Sequence, residues 1–418
     1  MQRLSVSPSQ PSGRIAVPPS KSQTLRAIIF GLMGKGKTVI HNPLISSDTE
    51  AALRVICHVG AKVQRYEGRI EIEGVAGKLK PAEDVLDVQN SGILLRFMAA
   101  LSALNPTYTV FTGDASIRKR RPMLPLLNGL RQLGAFAEST RGDGFAPILI
   151  RGPMKAGKLS IHGEDSQPVS ALLIATSFLN GPSEIEVINP GERPWIDLTI
   201  SWLDRLQISY KRNGYTQFTL SGAAAYDGFE YTVPADFSSA AFPIAAALVT
   251  GSELILENLD FTDAQGDKKL ISVLQQMGAD IEIGKRRVVI RKSKLRGCAI
   301  DVNDFVDAIA ILSVIGCFAE GQTEIRGAKV ARHKESDRIA AISTELKKMG
   351  AQIEEREDGL LITGSSLKGA ELFSHHDHRI ALSLAVAALG AKGASTIDAF
   401  ECVAKTYPTF CHDLGLGE

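Results

Sequence analysis

The sequence predicts a mixed α/β protein built from six related units, three in each half of the chain. Three observations lead to this fold class. A helix-ending phrase returns about every seventy residues, an apolar helix begins ahead of each phrase, and short strands rich in Val and Ile separate the helices. Helices this apolar are buried on most sides. We therefore expect two similar α/β domains, each with helices packed inside a wrap of sheet.

The helix-ending phrase is a bulky apolar residue followed by Gly-Ala. It occurs at Val59-Gly60-Ala61, Leu133-Gly134-Ala135, Met277-Gly278-Ala279 and Met349-Gly350-Ala351. Each glycine suits the left-handed position that closes a helix. One further unit fits between the second and third phrases without the glycine, with its helix at 195–206, and a truncated sixth copy ends at Leu414-Gly415.

The earlier helix of each unit begins behind polar residues. The predicted starts are Ser20-Lys21-Ser22, Asn90-Ser91-Gly92, Asp165-Ser166-Gln167, Asp236-Phe237-Ser238, Asp304-Phe305-Val306-Asp307 and His376-Asp377-His378-Arg379. Capping side chains or bound anions satisfy the N–H groups that a helix leaves open at its start. Capping is the simpler interpretation for one helix. Six related starts that also carry Lys21, Arg26, Gln167 and Arg379 favour a site for polyanions.

Composition limits the classes of function. The 418 residues include 47 basic and 46 acidic side chains, so the net charge of +1 does not draw the protein to nucleic acid or to an anionic membrane. The start of the chain lacks an apolar signal segment, and no apolar stretch is long enough to span a bilayer. Five scattered cysteines show no paired spacing. We expect a cytoplasmic protein that attracts anions through a local cluster.

Cations concentrate in three short segments. Lys21 and Arg26 are spaced to point at one ligand from a helix start. The run Arg118-Lys119-Arg120-Arg121-Pro122 predicts a helix that begins at its proline, a place suited to phosphate, although such runs are usually solvated loops. Lys334 and Arg338 lie four residues apart, which predicts one helical face, and an exposed ion-pair network explains them equally well.

Many motifs occur in the order of one known family. They are Ser20-Lys21-Ser22 with Arg26, Asn90-Ser91-Gly92 with Arg96, Arg121-Pro122, Ser166-Gln167, Arg193-Pro194-Trp195-Ile196-Asp197, Asp236 with 238–242, Asp307-Ala308, Lys334-Glu335-Ser336-Asp337-Arg338, Asp377-His378-Arg379 and Ala404-Lys405-Thr406. On these residues the chain resembles the enolpyruvyl transferases over nearly its whole length, and within them the branch that acts on shikimate 3-phosphate.

The resemblance implies a particular domain organisation. Each domain would consist of three βαβαββ repeats that form an inside-out α/β barrel. The N-terminal domain would span 18–234, and the C-terminal domain would combine 1–17 with 235–418. The midpoint of the repeat, near 233–235, is the predicted hinge.

The resemblance also implies an activity. The enolpyruvyl group of phosphoenolpyruvate would pass to the 5-hydroxyl of shikimate 3-phosphate, with release of phosphate, by addition and elimination through a tetrahedral intermediate. This reaction belongs to the shikimate pathway of aromatic amino acid biosynthesis. It implies small-molecule substrates and no metal, organic cofactor, nucleic acid or membrane, and the family suggests a monomer. A metal site at 376–379 is an alternative that no further ligand cluster supports.

Residue roles follow from the resemblance, position by position. The residues implied for shikimate 3-phosphate are Lys21, Ser22, Arg26, Ser166, Gln167, Trp195, Asp307 and Lys334. Those implied for phosphoenolpyruvate are Lys21, Gly92, Arg121, Gln167, Arg338, Arg379 and Lys405. The implied catalytic residues are Lys21 for developing charge, Asp307 for the hydroxyl proton and Glu335 for the methylene carbon. Glu335 must be partly desolvated to act as an acid among so many cations.

Three positions depart from the family pattern. Asp165 stands where serine is typical, and a carboxylate beside a substrate phosphate would repel it, so we expect Asp165 to cap its helix instead. Ile93 replaces a small hydroxyl residue beside the phosphoenolpyruvate pocket, which predicts weaker inhibition by glyphosate, the family's herbicide inhibitor. Val330 stands where a polar residue often approaches the shikimate site.

Three other functions remain open on the sequence. An enzyme acting on UDP-N-acetylglucosamine would carry Lys-Asn in place of Lys21-Ser22 and usually a cysteine within 111–123, which has none. An RNA-end-processing protein with related repeats fits poorly with the net charge. A silent anion-binding relative fits poorly with the presence of Lys21, Asp307 and Glu335 together.

Overall fold

The computed structural model describes residues 2–417, and these residues divide into two compact units. The N-terminal unit is 21–233, and the C-terminal unit joins 2–20 to 234–417. Each unit has a hydrophobic core of its own.

The strands are short. They are β1 (Arg3–Val6), β2 (Gly13–Ala16), β3 (Lys35–His41), β4 (Lys62–Tyr66), β5 (Arg69–Val75), β6 (Leu86–Asp87), β7 (Thr109–Thr112), β8 (Phe136–Ser139), β9 (Ile148–Arg151), β10 (Lys158–His162), β11 (Ser183–Ile188), β12 (Tyr210–Asn213), β13 (Gln217–Leu220), β14 (Glu230–Thr232), β15 (Leu254–Glu257), β16 (Asp280–Ile283), β17 (Arg287–Arg291), β18 (Ala299–Asp301), β19 (Gln322–Arg326), β20 (Gln352–Arg356), β21 (Gly359–Thr363), β22 (Glu371–Phe373) and β23 (Ser395–Asp398).

The helices alternate with these strands. They are α1 (Lys21–Met33), α2 (Ser47–His58), α3 (Gly92–Ser102), α4 (Ala115–Lys119), α5 (Leu124–Gln132), α6 (Ser166–Thr176), α7 (Arg193–Arg205), α8 (Phe237–Thr250), α9 (Lys269–Gln276), α10 (Ile309–Phe318), α11 (Arg338–Lys348), α12 (His378–Leu389) and α13 (Phe410–Asp413). Short 3-10 helices lie at Gly266–Lys268, Val306–Ala308, Lys329–His333 and Phe400–Lys405.

The N-terminal unit repeats one sheet pattern. Its described strands form four-stranded sheets in the orders β14-β3-β5-β4, β6-β7-β9-β8 and β10-β11-β13-β12. The first pair in each order is parallel and the other neighbours are antiparallel. In the second and third sheets one helix connects the parallel strands, α3 between β6 and β7 and α6 between β10 and β11, as in a βαβ unit. The first sheet is completed by β14, which comes from the far end of this unit's chain segment.

The C-terminal unit follows the same plan with strands from both ends of the chain. Its described strands form the orders β2-β15-β17-β16, β18-β19-β21-β20 and β1-β23-β22. The pairs β2–β15, β18–β19 and β22–β23 are parallel, and β1 runs antiparallel to β23. Residues 2–20 thus complete two of these sheets.

Buried helices fill the inside of each unit. In the N-terminal unit α3 packs against α1 and α6, and in the C-terminal unit α8, α10 and α12 contact one another. Nearly every side chain of these helices is buried, whereas α2, α5, α9 and α11 each bury one face. The predicted fold class, repeats of sheet wrapped around buried helices, is confirmed.

The helix ends explain the repeated phrase. Gly60, Gly134, Gly278 and Gly350 all have a positive φ, between 86° and 109°. A residue with a Cβ is strained in this region, so glycine is favoured there. In the unit without the glycine, Gln207 takes the left-handed position with φ 54°. The predicted helix closures are confirmed.

Three predictions of helix starts are wrong. The helix after the cationic run begins at Leu124, with Pro125 and not Pro122 in its first turn. The helix expected at 304–307 begins at Ile309, after a 3-10 turn at Val306–Ala308. Because α11 begins at Arg338, Lys334 lies outside the helix, and the two do not share a helical face.

The chain crosses the boundary between the units after residue 20 and after residue 233. Backbone hydrogen bonds join the two crossings on the side of the C-terminal unit: Ser20 N–H donates to the Pro234 carbonyl at 2.8 Å, and Asp236 N–H donates to the Pro18 carbonyl at 2.9 Å. The hinge at 233–235 stays a prediction, as do the monomeric state and the cytoplasmic location. Over residues 2–417, none of the helices combines the length and hydrophobicity needed to cross a bilayer.

Candidate active site

The start of α1 places the first predicted cation. Lys21 is the first residue of α1, and its Nζ lies 3.8 Å from Oδ2 of Asp48, a buried residue of α2. This spacing is at the limit of an ion pair, so the ammonium is held near a carboxylate without a short hydrogen bond to it. Lys21 keeps some exposure, as a residue that binds a ligand requires.

Arg26 joins two parts of the N-terminal unit. Its guanidinium donates to the Thr199 hydroxyl at 3.1 Å, to the Trp195 carbonyl at 3.0 Å and to the Ser22 carbonyl at 3.3 Å. It also lies over the ring of Phe97. Arg26 is buried. It therefore brings Ser22 and Trp195 together by holding their backbone carbonyls, and its predicted contact with substrate stays a prediction.

Several residues that are predicted to bind phosphoenolpyruvate lie close together at the start of α3. A Cβ on Gly92 would lie 2.9 Å from Nη1 of Arg96, 3.1 Å from Nη1 of Arg121 and 3.4 Å from Oε1 of Gln167. The structure thus brings Gly92, Arg121 and Gln167 together. Glycine is needed here because a side chain would displace two guanidinium groups.

Arg96 organises this group, although the sequence analysis assigns no role to it. It is buried, and it donates to Gln167 Oε1 at 3.2 Å, to the Gly92 carbonyl at 3.2 Å and to the Pro122 carbonyl at 3.0 Å. Within the cationic run, Arg121 is buried, whereas residues 118–120 are exposed. Residues 118–120 are therefore solvated, as in the solvated-loop interpretation, but Arg118 and Lys119 belong to α4 and not to a loop.

The start of α6 carries two carboxylates. Asp165 caps the helix, as expected: its Oδ1 accepts from the Gln167 N–H at 3.0 Å, and its Oδ2 lies 3.2 Å from Nη2 of Arg96. Glu192, which the sequence reasoning missed, accepts from both the N–H and the hydroxyl of Ser166, each at 3.2 Å. Glu192 directly precedes Arg193-Pro194 at the start of α7.

The C-terminal unit contains a buried ion-pair network centred on Arg338, the first residue of α11. Its Nη1 lies 2.6 Å from Asp307 Oδ1, its Nη2 lies 2.7 Å from Glu335 Oε2, and its Nε lies 2.8 Å from Asp377 Oδ2. Burial alone lowers the pKa of Arg338, but Asp377, Glu335 and Asp307 outweigh it and raise the pKa above its ordinary value. One guanidinium thus holds both predicted proton carriers in place.

Glu335 is held from both sides. Its second oxygen, Oε1, accepts from the Nζ of Lys405 at 2.7 Å. Its side chain is 6% exposed, so the desolvation that an acid role requires is present. Lys405 is the last residue of the 3-10 helix Phe400–Lys405, and Thr406 caps this helix.

Asp307 lies between two guanidinium groups. Its Oδ2 is 2.8 Å from Nη2 of Arg379, which also donates to the hydroxyl of Ser238 at 3.0 Å. Burial raises the pKa of Asp307, but Arg379, Arg338 and Lys334 outweigh it and hold the pKa well below its ordinary value. Lys334 is therefore close enough to act on Asp307, although it lies outside α11. Asp307 is ionised at neutral pH.

Two further acidic residues lie near this network. Asp377 caps α12 by accepting from the Arg379 N–H at 2.9 Å and also accepts from the Ser336 hydroxyl at 3.0 Å, so it aligns the Lys334–Arg338 segment with α12. Asp267 is 3% exposed, and neither of its carboxylate oxygens has a hydrogen-bond partner among the described residues. Burial raises the pKa of Asp267 to about 8, with Asp307 and Asp236 adding to the rise and Arg379 opposing it.

Ile93 and Val330, the other two departures from the family pattern, are both partly exposed. Ile93 is partly buried and packs against the core of the N-terminal unit. Val330 lies in the 3-10 helix Lys329–His333 and is partly exposed. In the part of the chain from 2 to 417, no group of three or more His, Cys, Asp or Glu side chains is arranged to hold a metal ion.

Known proteins resemble this chain along nearly its whole length. The family model of EPSP synthase (3-phosphoshikimate 1-carboxyvinyltransferase) matches residues 6–414. The 3-phosphoshikimate 1-carboxyvinyltransferase of Acetivibrio thermocellus is 42% identical over 411 residues, which cover 98% of this chain and 97% of the relative. That of Chlamydia caviae is 43% identical over 412 residues, which cover 98% and 92%.

A solved structure of the same family also matches this chain along its whole length. An EPSP synthase from Acinetobacter baumannii aligns with a TM-score of 0.83 and 31% identity, covering 100% of this chain and 99% of that one. Because the family match and the relatives above 40% identity extend along almost all of the sequence, the chain belongs to the EPSP synthase family.

Proposed function

We propose that this protein transfers the enolpyruvyl group of phosphoenolpyruvate to the 5-hydroxyl of shikimate 3-phosphate and releases phosphate. The observation that carries the proposal is the network around Arg338, where one buried guanidinium contacts both Asp307 and Glu335. A reaction that moves one proton to carbon and another from a hydroxyl needs two positioned carboxyl groups. Family membership supplies the substrates.

The cations match the charge of these substrates. Each substrate carries a carboxylate and a phosphate of about −1.5 to −2, so both together bring roughly five to six negative charges. We propose that Lys21, Ser22, Arg26, Ser166, Gln167, Trp195, Asp307 and Lys334 bind shikimate 3-phosphate. We propose that Lys21, Gly92, Arg121, Gln167, Arg338, Arg379 and Lys405 bind phosphoenolpyruvate. Arginine suits the second set because its planar fork contacts carboxylate and phosphate in pairs.

In the proposed mechanism, Glu335 exchanges a proton with the methylene carbon. The carbon gains a proton as the acceptor hydroxyl adds, and loses one as phosphate leaves, so one group serves as acid and then as base. Both Glu335 oxygens are held by cations in this structure, through Arg338 and Lys405. A substrate anion that binds to Arg338 or Lys405 would release one oxygen of Glu335, and this oxygen could then carry the proton.

Asp307 would accept the proton of the attacking hydroxyl. The cations around it keep it ionised, which is the correct form for a base, yet they also make it a weak one. When phosphoenolpyruvate takes up part of the charge of Arg338 and Arg379, the proton affinity of Asp307 rises. Substrate binding and base strength are thereby coupled. Lys21 would stabilise the developing charge and the leaving phosphate.

The test is phosphate release from phosphoenolpyruvate by the purified protein, with shikimate 3-phosphate and UDP-N-acetylglucosamine as parallel acceptors. We expect release with shikimate 3-phosphate alone. Release with the sugar nucleotide alone would contradict the acceptor, and no release with either would contradict the proposed reaction.

A further inference from the structure

Glu192 is a buried acidic residue that immediately precedes α7, the helix next to α6. It is 2% exposed, and its Oε2 accepts from the backbone N–H of Ser166 and from the Ser166 hydroxyl, each at 3.2 Å. Serine has one N–H and one O–H to donate. In this structure both hydrogens of Ser166 therefore point to the carboxylate of Glu192.

The fold fixes this contact. The strands β10 and β11 are parallel neighbours, so the segments that leave their carboxyl ends start α6 and α7 side by side. Backbone hydrogen bonds join these segments: Gly163 N–H donates to the Ile188 carbonyl and Gly191 N–H donates to the Gly163 carbonyl, at 2.8 and 2.9 Å. Glu192 itself takes a left-handed backbone conformation, with φ 44° and ψ 40°, which a residue with a Cβ adopts only when its surroundings impose it.

The contact conflicts with the expected role of Ser166. A phosphate oxygen and a carboxylate oxygen accept hydrogen bonds from the same donors, and two anions at one donor pair repel each other. Asp165, the other carboxylate at this helix start, accepts from Gln167 and pairs with Arg96, so it uses different donors. Glu192 is thus the acidic residue that holds the donors expected to bind phosphate.

We propose that Glu192 is a specificity-determining residue for the acceptor substrate, because a substrate phosphate has to displace its carboxylate before it binds to Ser166. This inference rests on the proposed function, which assigns Ser166 to shikimate 3-phosphate. It implies that this chain binds the phosphate of its acceptor more weakly than the donors at the start of α6 would otherwise permit. It also implies that the effect concerns the phosphate of the acceptor and not phosphoenolpyruvate.

The test is Glu192→Gln, which keeps an oxygen that accepts from Ser166 and removes the charge. We expect the Kd of shikimate 3-phosphate, measured by calorimetry, to fall about tenfold, since like charges a few ångströms apart repel by this order when water screens them. The KM for shikimate 3-phosphate should fall with it. The KM for phosphoenolpyruvate should stay within about twofold, and the Kd of shikimate, which lacks the phosphate, should not change.

The matched control is Glu164→Gln, which removes an equal charge from an exposed residue of the neighbouring loop, between β10 and α6. It should leave all four constants unchanged. If Glu192→Gln binds shikimate 3-phosphate no more tightly than Glu164→Gln, while the parent protein turns the substrate over, the inference is wrong and the proposed function stands. If the parent protein releases no phosphate with shikimate 3-phosphate, the proposed function itself fails.

A crystal structure of the unmutated protein with shikimate 3-phosphate gives a second test that does not depend on a variant folding. We expect a phosphate oxygen within hydrogen-bond distance of Ser166 Oγ and the Glu192 carboxylate moved off Ser166. A bound substrate with both Ser166–Glu192 hydrogen bonds intact would overturn the inference.

Discussion

The candidate site residues of the two units balance charge in different ways. In the N-terminal unit, the predicted ligands lie at helix starts and around Gly92, where guanidinium groups donate mainly to backbone carbonyls and carboxylates accept from the N–H groups at the start of α6. In the C-terminal unit, Arg338, Arg379 and Lys405 are bonded directly to carboxylates. The first arrangement presents donors to anions, whereas the second couples the protonation of several acids to shared cations.

This difference suggests a division of work. Donors fixed by the backbone change little when a ligand binds, so the N-terminal residues are suited to binding and orienting substrates. In the C-terminal network, an anion that takes up part of a shared cation's charge changes the proton affinity of Asp307 and Glu335 at once. We therefore expect substitutions in the C-terminal unit to act on turnover, and substitutions in the N-terminal unit to act on affinity.

The largest effect is expected at Arg338. In Arg338→Lys a single ammonium group replaces a planar fork that contacts Asp307, Glu335 and Asp377, so their relative positions are lost. We expect kcat/KM to fall about a thousandfold, measured by phosphate release. The control is Arg356→Lys, at an exposed ion pair with Glu324 in the same unit. A loss below about tenfold would mean that the network does not position the proton carriers.

A smaller effect, on stability, is expected at Asp267. Its folded pKa of about 8 lies above its ordinary value of 3.8, so between these pH values the folded protein keeps a proton that the unfolded chain releases. The stability from this group is fully present below about pH 4 and is lost as the pH rises towards 8. Asp267→Asn should therefore stabilise the protein at pH 8 by about 1–3 kcal/mol and leave it unchanged at pH 4.

Urea unfolding between pH 4 and pH 9 measures this effect. The control is Asp280→Asn, at an exposed residue of β16 in the same unit. Parallel stability curves for the parent protein and Asp267→Asn would show that Asp267 is ionised in the folded state, and would remove it from the group of coupled acids around Asp307.

The smallest effect is expected at Gly92, in the N-terminal unit. The added Cβ of Gly92→Ala would lie 2.9 Å from Arg96 and 3.1 Å from Arg121, so both guanidinium groups have to shift. We expect the KM for phosphoenolpyruvate to rise about tenfold with kcat changed less, since the loss is one of binding. Gly157→Ala is the control, because its Cβ would make an ordinary contact of 3.7 Å with Leu133. A fall in kcat without a change in KM would contradict the proposed division.

The sequence was sufficient for the features that are set locally. Helix ends follow from Gly-Ala phrases that need a left-handed residue, and helix starts follow from capping residues such as Asp165 and Asp236. The resemblance also named the residues that the structure groups around Gly92 and Arg338. The resemblance did not predict that these residues pair with carboxylates, because such pairing depends on where other segments of the chain lie.

The wrong predictions have the same origin. Lys334 and Arg338 were placed on one helical face by spacing alone, but the chain enters α11 only at Arg338. Glu192 and Asp267 gave no signal as single residues, since their importance comes from burial beside Ser166 and near Asp307. Buried charges of this kind are set by tertiary contacts, which a pattern in one sequence does not record.

The most direct test of this division is the variant Glu335→Gln, compared with Glu354→Gln at an exposed position of β20. Turnover and the calorimetric Kd of shikimate 3-phosphate should be measured on the same preparations. We predict that Glu335→Gln lowers kcat about a thousandfold and leaves the Kd within about threefold, while Glu354→Gln changes neither. Full turnover by Glu335→Gln, or a loss of binding as large as the loss of turnover, would contradict the assignment of proton transfer to the C-terminal network.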